Sequence, residues 1–360
     1  MMKAKRLTEI SVPPDIILKV LQELPVKSLL RFRCVSKLWC SEIDSPLFIE
    51  SHQTRSHTRL GGLNILLQVL DSRNLSYLCS ADPEGGEATR FLTVPFRDCL
   101  NPLQSVNGFV CLGDRIINPS TREIHVLPLL YFPAGSSGIN LWSTYSCNYL
   151  GFDPSTNKFK VLNICQSHKG RRFRQHKGVQ FKILTLGTQY WRDIDFKIQG
   201  KTNSDPCYIK GVIYILFRIK SSIQNVILGF EVEHEKFRII HLPTDATEKY
   251  YTPVHVRENI ALIDPQYTTI WILEDCDKKL WKKENFECPP SWRSRSVNFV
   301  VSTVHTSEIL FYDGKSTLSY YDVESRKSRD CELSNFPGDL MGKGFRITNN
   351  VESLVRLKEM

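Results

Sequence analysis

From about residue 63 onward the chain repeats one short hairpin pattern, and this limits its fold more than any other feature of the sequence. An apolar or aromatic run meets an acidic or Asn turn residue, polar residues follow, and Lys, Arg or Trp opens the next strand. The clearest copies are Ile117-Asn118-Pro119-Ser120-Thr121-Arg122, Phe152-Asp153-Pro154-Ser155-Thr156-Asn157-Lys158-Phe159, Phe230-Glu231-Val232-Glu233-His234-Glu235-Lys236-Phe237 and Tyr321-Asp322-Val323-Glu324-Ser325-Arg326-Lys327. Weaker versions begin at Leu186 and Leu273. The markers Asp71, Asn118, Leu186, Glu231, Asp275 and Asp322 are separated by 47, 68, 45, 44 and 47 residues. That is the period of a propeller blade, and one enlarged blade containing both Asp153 and Leu186 accounts for the long interval. Short strands are expected at 179–184, 212–217, 226–230 and 309–312, with no long amphipathic helix between them. A four-stranded blade buries its faces only against neighbours, so the repeat predicts a closed ring of about six blades, with roughly five to seven compatible.

The first fifty residues read differently. Pro13-Pro14 followed by Asp15 starts a helix, since proline fits a first turn and an early carboxylate suits the helix dipole. Ile16, Ile17, Val20, Leu21 and Leu24 recur three to four apart as one apolar face, and Leu24-Pro25 ends it. Lys19 and Glu23, four apart, are placed to pair. Val26, Leu29, Leu30 and Phe32 form a second cluster; Ser36 then caps a third helix carrying Leu38, Trp39 and Ile43, which Ser45-Pro46 stops. Three helices of about ten residues cannot bury these faces among themselves, so something else must cover them.

With 360 residues, 41% hydrophobic and 24% charged, the chain has room for two folded units. No apolar run approaches the roughly 18 residues of a membrane span, and no secretory signal opens the sequence, so a cytoplasmic or nuclear location is expected. Eleven cysteines, an odd number without a C-x-x-C pair, suit reduced, buried thiols. Asn74-Leu75-Ser76 matches a glycosylation acceptor that would stay idle inside a cell. The net charge is +9, of which residues 1–50 contribute eight Lys/Arg against six Asp/Glu. The remainder reads as dispersed except for residues 168–177, where Arg171, Arg172 and Arg174 could meet phosphates or an import receptor, or form a solvated loop.

Two stretches resemble known families. Pro14-Asp15-Ile16-Ile17-Leu18, Val20-Leu21, Leu24-Pro25-Val26-Lys27-Ser28-Leu29, Arg33-Cys34-Val35-Ser36-Lys37-Leu38-Trp39 and Ser45-Pro46-Leu47-Phe48 resemble the plant F-box across about residues 9–50. Ser105-Val106-Asn107-Gly108-Phe109-Val110-Cys111-Leu112, Asn118-Pro119-Ser120-Thr121-Arg122, Gly151-Phe152-Asp153-Pro154 and Ile270-Trp271-Ile272-Leu273 resemble the kelch-like F-box-associated domain of plants, from about residue 100 to 335. The resemblance implies a multidomain chain: a small all-α F-box module at 1–50, a linker at 51–62, an all-β kelch-like propeller at 63–345 and a tail at 346–360. It implies docking on a Skp-type adaptor, and through it on a cullin and a RING subunit, as the substrate receptor of an SCF-type ubiquitin ligase for a protein target that the sequence does not name. Pro13, Pro14, Ile17, Leu18, Leu21, Leu24, Pro25, Leu29, Val35 and Trp39 are the expected adaptor-binding residues. Family members usually carry glutamate where Lys19 stands and arginine where Glu23 stands, so this chain offers an adaptor the opposite signs.

No residue pattern asks for bond chemistry, a cofactor or a metal. Gly314-Lys315-Ser316-Thr317 lacks the phosphate-loop glycine five positions earlier, where Ile309 stands, and reads as a hairpin turn. G-x-S-x-G and H-E-x-x-H are absent, and His234-Glu235 lacks a second histidine. Asp275-Cys276-Asp277 sits where turns use acidic residues. Trp191, Trp271 and Trp281 read as blade packing, and Trp142 as part of an exposed loop. A metal-dependent kelch-type oxidase finds no Tyr, His and Cys cluster here. A nucleic-acid binder using residues 168–177, and an F-box-like protein without a ligase role, are the other readings.

Overall fold

The repeated hairpins close through one backbone solution. Asn118, Asp153 and Asp322 each accept at Oδ1 from the backbone N–H groups two and three residues on, at 2.8–3.4 Å. The residue four positions after each marker then turns left-handed: Arg122 (φ 62°), Asn157 (54°), Glu235 (54°), Lys279 (54°) and Arg326 (56°). A short acceptor side chain thus organises the turn and lets non-glycine residues hold positive φ.

A computed structural model describes residues 13–58, 62–70, 76–94, 102–130, 142–169, 175–202, 205–222, 224–246, 251–264, 269–276, 278–285, 299–302, 307–312, 316–334 and 346–357. Its strands form six antiparallel blades. Blade 1 is ordered Arg346–Val351, Leu63–Leu70, Ser76–Ala81, Thr89–Val94 from the channel outward. Blade 2 runs Gln104–Val106, Phe109–Leu112, Arg115–Asn118, Glu123–Val126. Blade 3 runs Trp142–Asp153, Lys158–Lys169, Gln175–Thr185, Arg192–Ile194, uniting the Asp153 and Leu186 hairpins in one sheet with the longest strands. In blade 4 the inner position is shared by Gly200–Thr202 and Cys207–Ile209, followed by Val212–Ile219, Asn225–Glu231 and Lys236–His241. Blades 5 and 6 begin at Thr252–Val256 and Phe299–Ser302. Asp71 and residues 313–315 lie outside the described residues, but the flanks of the latter are antiparallel strands, Tyr312 opposite Leu318, rather than strand and helix.

Every neighbouring pair of blades shares a buried cluster, and strands of neighbouring blades touch in ring order back to the first. This explains why Val212–Ile219 reads as a continuous apolar run: Ile213 and Ile215 pack toward blade 3, Tyr214 and Leu216 toward blade 5. Trp191, Trp271 and Trp281 belong to these clusters, while the Trp142 side chain lies outside the described set. Cys79, Cys111, Cys147, Cys165 and Cys207 are buried thiols, and burial raises Cys79 to about 11 and Cys207 to about 12.

The helical module differs from its sequence reading. It contains, among the described residues, α1 (Pro14–Gln22), α2 (Val26–Phe32), α3 (Lys37–Ile43) and a fourth helix, α4 (Pro46–Ser56). Ser36 caps α3 by accepting from the Trp39 N–H at 3.1 Å. Ser45-Pro46, expected only as a stop, also starts α4, with Ser45 Oγ accepting from the Phe48 N–H at 3.3 Å and Pro46 at the first turn. Residues 51–56, read as linker, are therefore helix. Residues 346–351, read as tail, are the innermost strand of blade 1, paired with Leu63–Leu70. None of the helices in the described residues is long and apolar enough to cross a membrane.

Candidate functional site

α1 is apolar on two stripes, and these have different fates. Ile17, Leu21 and Leu24 face inward; Leu21 is buried with Val26, Leu29, Ile43 and Phe48, while Ile17, Leu18, Leu24, Leu30, Phe32 and Ile49 close over them. Ile16 and Val20, four apart, form the second stripe and remain in solvent. With Val35 between α2 and α3, Leu38 on α3 and Leu47 at the start of α4, they leave five large apolar side chains between 51% and 80% exposed on one small module. That is far more open apolar surface than a finished exterior of this size needs.

The expected docking set is accordingly redistributed. Leu21 and Leu29 are in the module's own core and not on a surface that a partner could reach. Ile17, Leu18 and Leu24 are half-buried against that core, and Trp39 is half-buried with its ring edge-on to Phe32 at 5.3 Å. Pro13, Pro25 and Val35 are exposed, and the Pro14 side chain lies outside the described residues. Ile16, Val20, Leu38 and Leu47 lie outside the expected set; for Ile16 and Val20 the reason is that residues 16–24 carry two apolar stripes where one face is expected. The signal was available: positions 17, 21 and 24 make one stripe and 16 and 20 another, so a nine-residue helix carrying both needs two neighbours. Glu23 does not hold Lys19; it accepts from Arg55 on α4, with Nε at 2.6 Å. Lys19 is exposed.

The missing cover for the inner stripe comes from the far end of the chain. Leu354 enters the module core, and Glu352 Oε2 accepts from the Val26 N–H at 3.1 Å at the start of α2. The same segment is fixed to blade 2: Asn118 Nδ2 donates to Ser353 O at 3.0 Å and Val355 O at 2.8 Å, and Leu357 N–H donates to Glu123 Oε2 at 2.9 Å. Gln53 of α4 adds a bond to Asn107 O at 3.3 Å. His52, fully buried, donates from Nε2 to Leu24 O at 2.9 Å and ties α4 to the end of α1. A Cβ on Gly62 would lie 2.2 Å from Ser56 O, so α4 and the first propeller strand approach as closely as glycine allows.

Arg171, Arg172 and Arg174 lie outside the described residues. Among the described residues no group of three or more His, Cys, Asp or Glu side chains is placed to hold a metal ion. His234 sits 3.6 Å from Glu231 on an exposed turn.

The chain thus joins a helical module with an open apolar exterior to a six-bladed ring. More particularly, the chain belongs to the F-box proteins that carry an F-box associated beta propeller domain: the F-box domain model matches residues 10–51 and the F-box associated beta propeller domain model matches residues 65–352. The Arabidopsis thaliana F-box protein At4g21240 is 32% identical over 394 residues, covering 96% of this chain and 90% of the relative. F-box protein At1g30790 of the same plant is 29% identical over 91% of each chain, and F-box protein DOR is 25% identical over 95% of this chain and 93% of the relative. An F-box followed by a propeller is the arrangement typical of SCF substrate-receptor subunits.

Proposed function

We propose that the chain is the substrate-recognition subunit of an SCF-type ubiquitin ligase, docking through its helical module on a Skp-type adaptor and holding a protein target on its propeller. The observation that carries this is the unfilled exterior: Ile16, Val20, Val35, Leu38 and Leu47 stay open although the module core is complete. Burying such side chains against a partner gains about 1.5–3 kcal/mol each before the costs of association, enough for stable docking by several of them. The ring would then present its target beside a ubiquitin-conjugating enzyme, and local concentration rather than bond chemistry on this chain would drive transfer. Action inside the cytoplasm or nucleus goes with this role.

The test is assembly. The full chain, mixed with a purified Skp-type adaptor and a cullin–RING pair, is expected to elute with the cullin only when the adaptor is present. Val20→Asp with Leu38→Asp is expected to abolish co-elution while leaving the propeller folded. Failure of the unmodified chain to bind the adaptor contradicts the proposal; adaptor binding without cullin recruitment would make this an F-box protein without a ligase role.

A further inference from the structure

The positive charge is not dispersed. Residues 161–230 hold twelve Lys and Arg against Asp193, Asp195 and Asp205, which equals the entire net charge of +9, so the rest of the chain balances to zero. This stretch forms most of blades 3 and 4.

The structure sorts the described ones among these charges by the end of the ring on which they lie. In each blade the strands alternate in direction, so the turns joining strand 1 to 2 and strand 3 to 4 share one face. Asn107 and Asn118, in two such turns of blade 2, meet Gln53 and the chain's last strand-to-module segment, which identifies this as the face carrying the helical module. Cations toward that side or in mid-blade are matched: Lys182 with Asp193 at 2.6 Å, Arg192 with Glu235 at 2.8 Å and Lys210 with Glu258 at 2.6 Å.

On the opposite face the pattern changes. Lys201 lies in the inner strand Gly200–Thr202 of blade 4 and Arg218 near the end of the next strand, directly across from it in register. Lys220 follows, its N–H donating to Gln199 O at 2.9 Å, and Lys197 lies two residues before Gln199. No ion pair engages these four cations among the described residues. The nearby acid Asp205 is taken by Arg346 of blade 1, leaving Asp195 as the remaining carboxylate of the stretch. Like charges directly opposite in a sheet destabilise it, so the Lys201 and Arg218 pair is a local cost that folding alone does not explain. Gln166 of blade 3 bonds Thr202 at 3.0 Å, so blade 3 meets blade 4 along this edge.

We propose that this edge of blade 4, on the face turned away from the helical module, is the docking site for an acidic stretch of the target protein; the inference rests on reading the propeller as a target receptor. The planar fork of Arg218 beside a lysine suits carboxylates, which it can grip in two places. A nucleic-acid track is disfavoured because Asp195 and Asp205 interrupt the line of cations, and the half-buried Phe196 is already stacked on Phe237 at 4.5 Å.

The decisive variant is Lys201→Glu, because binding and stability should move in opposite directions. Facing Arg218, the new carboxylate replaces repulsion by attraction, so the thermal midpoint of the full chain should rise. Fluorescence anisotropy with a labelled peptide of alternating Glu and Ser should show salt-sensitive binding to the unmodified chain, weakened about ten-fold in Lys201→Glu. Lys210→Glu, on the other face, should bind the peptide as the unmodified chain does. No peptide binding by the unmodified chain, equal binding by Lys201→Glu, or tighter binding of a single-stranded RNA of matched charge would each overturn the proposal. Adaptor capture by the same preparations separates the two readings, since it depends on Val20 and Leu38 and not on Lys201.

Discussion

Lys160 shows how a strand residue ties a turn to the next blade at the scale of a single side chain. Its ammonium lies 3.0 Å from Asp153, 3.0 Å from Glu235 of the next blade and 3.1 Å from Val232 O. Burial alone would raise the Asp153 carboxyl, but hydrogen bonds from Ser155, Lys160 and Thr156 and the Lys160 charge outweigh it and hold that group well below the usual carboxylate range. A depressed folded value means that the contribution is present at neutral pH and fades as pH falls below about 4 toward the folded value. Asp153→Asn should therefore cost about 3–5 kcal/mol at neutral pH, read by urea unfolding, and the difference from the unmodified chain should shrink on acidification. A constant difference across pH would refute the pairing. Asp153 was legible in the sequence as a turn former, because Asx turns are local; its tie to Glu235 was not, because only blade packing brings those residues together.

At the scale of elements, the segment 352–357 locks the two units. Leu354 occupies the module core, so Leu354→Ala should destabilise the module by about 2–5 kcal/mol. Limited proteolysis should then cut within residues 13–58 while the propeller resists; unchanged protection would show that the helices close without it. Gly108→Ala should act at the same joint, since the backbone there has φ 86° and a Cβ would lie 2.4 Å from the Ser353 Cβ. The first three helices were readable from their stops and caps. The fourth was not, because Ser45-Pro46 serves equally as an end and a beginning, and the partner of the inner stripe lies some 330 residues away in the chain.

For the whole molecule, the period of the hairpins carried the architecture, and six blades fall within the range it allowed. What the period could not supply was closure, because residues 346–351 show no hairpin and join the first blade only through register with Leu63–Leu70. Removing residues 346–360 should therefore break the ring and abolish a single cooperative unfolding transition, followed by circular dichroism on heating. The ring places the helical module on one face, so under the proposed function an adaptor there and a target on the opposite face should be held at once. The central claim is that the open apolar residues of the module, not its inner stripe, bind an adaptor. Titration calorimetry of a Skp-type adaptor into the full chain tests it: Val20→Asp should weaken binding about 30-fold or more, consistent with about 2 kcal/mol at a buried anchor, without lowering the thermal midpoint. Equal affinity for Val20→Asp and the unmodified chain would contradict the account.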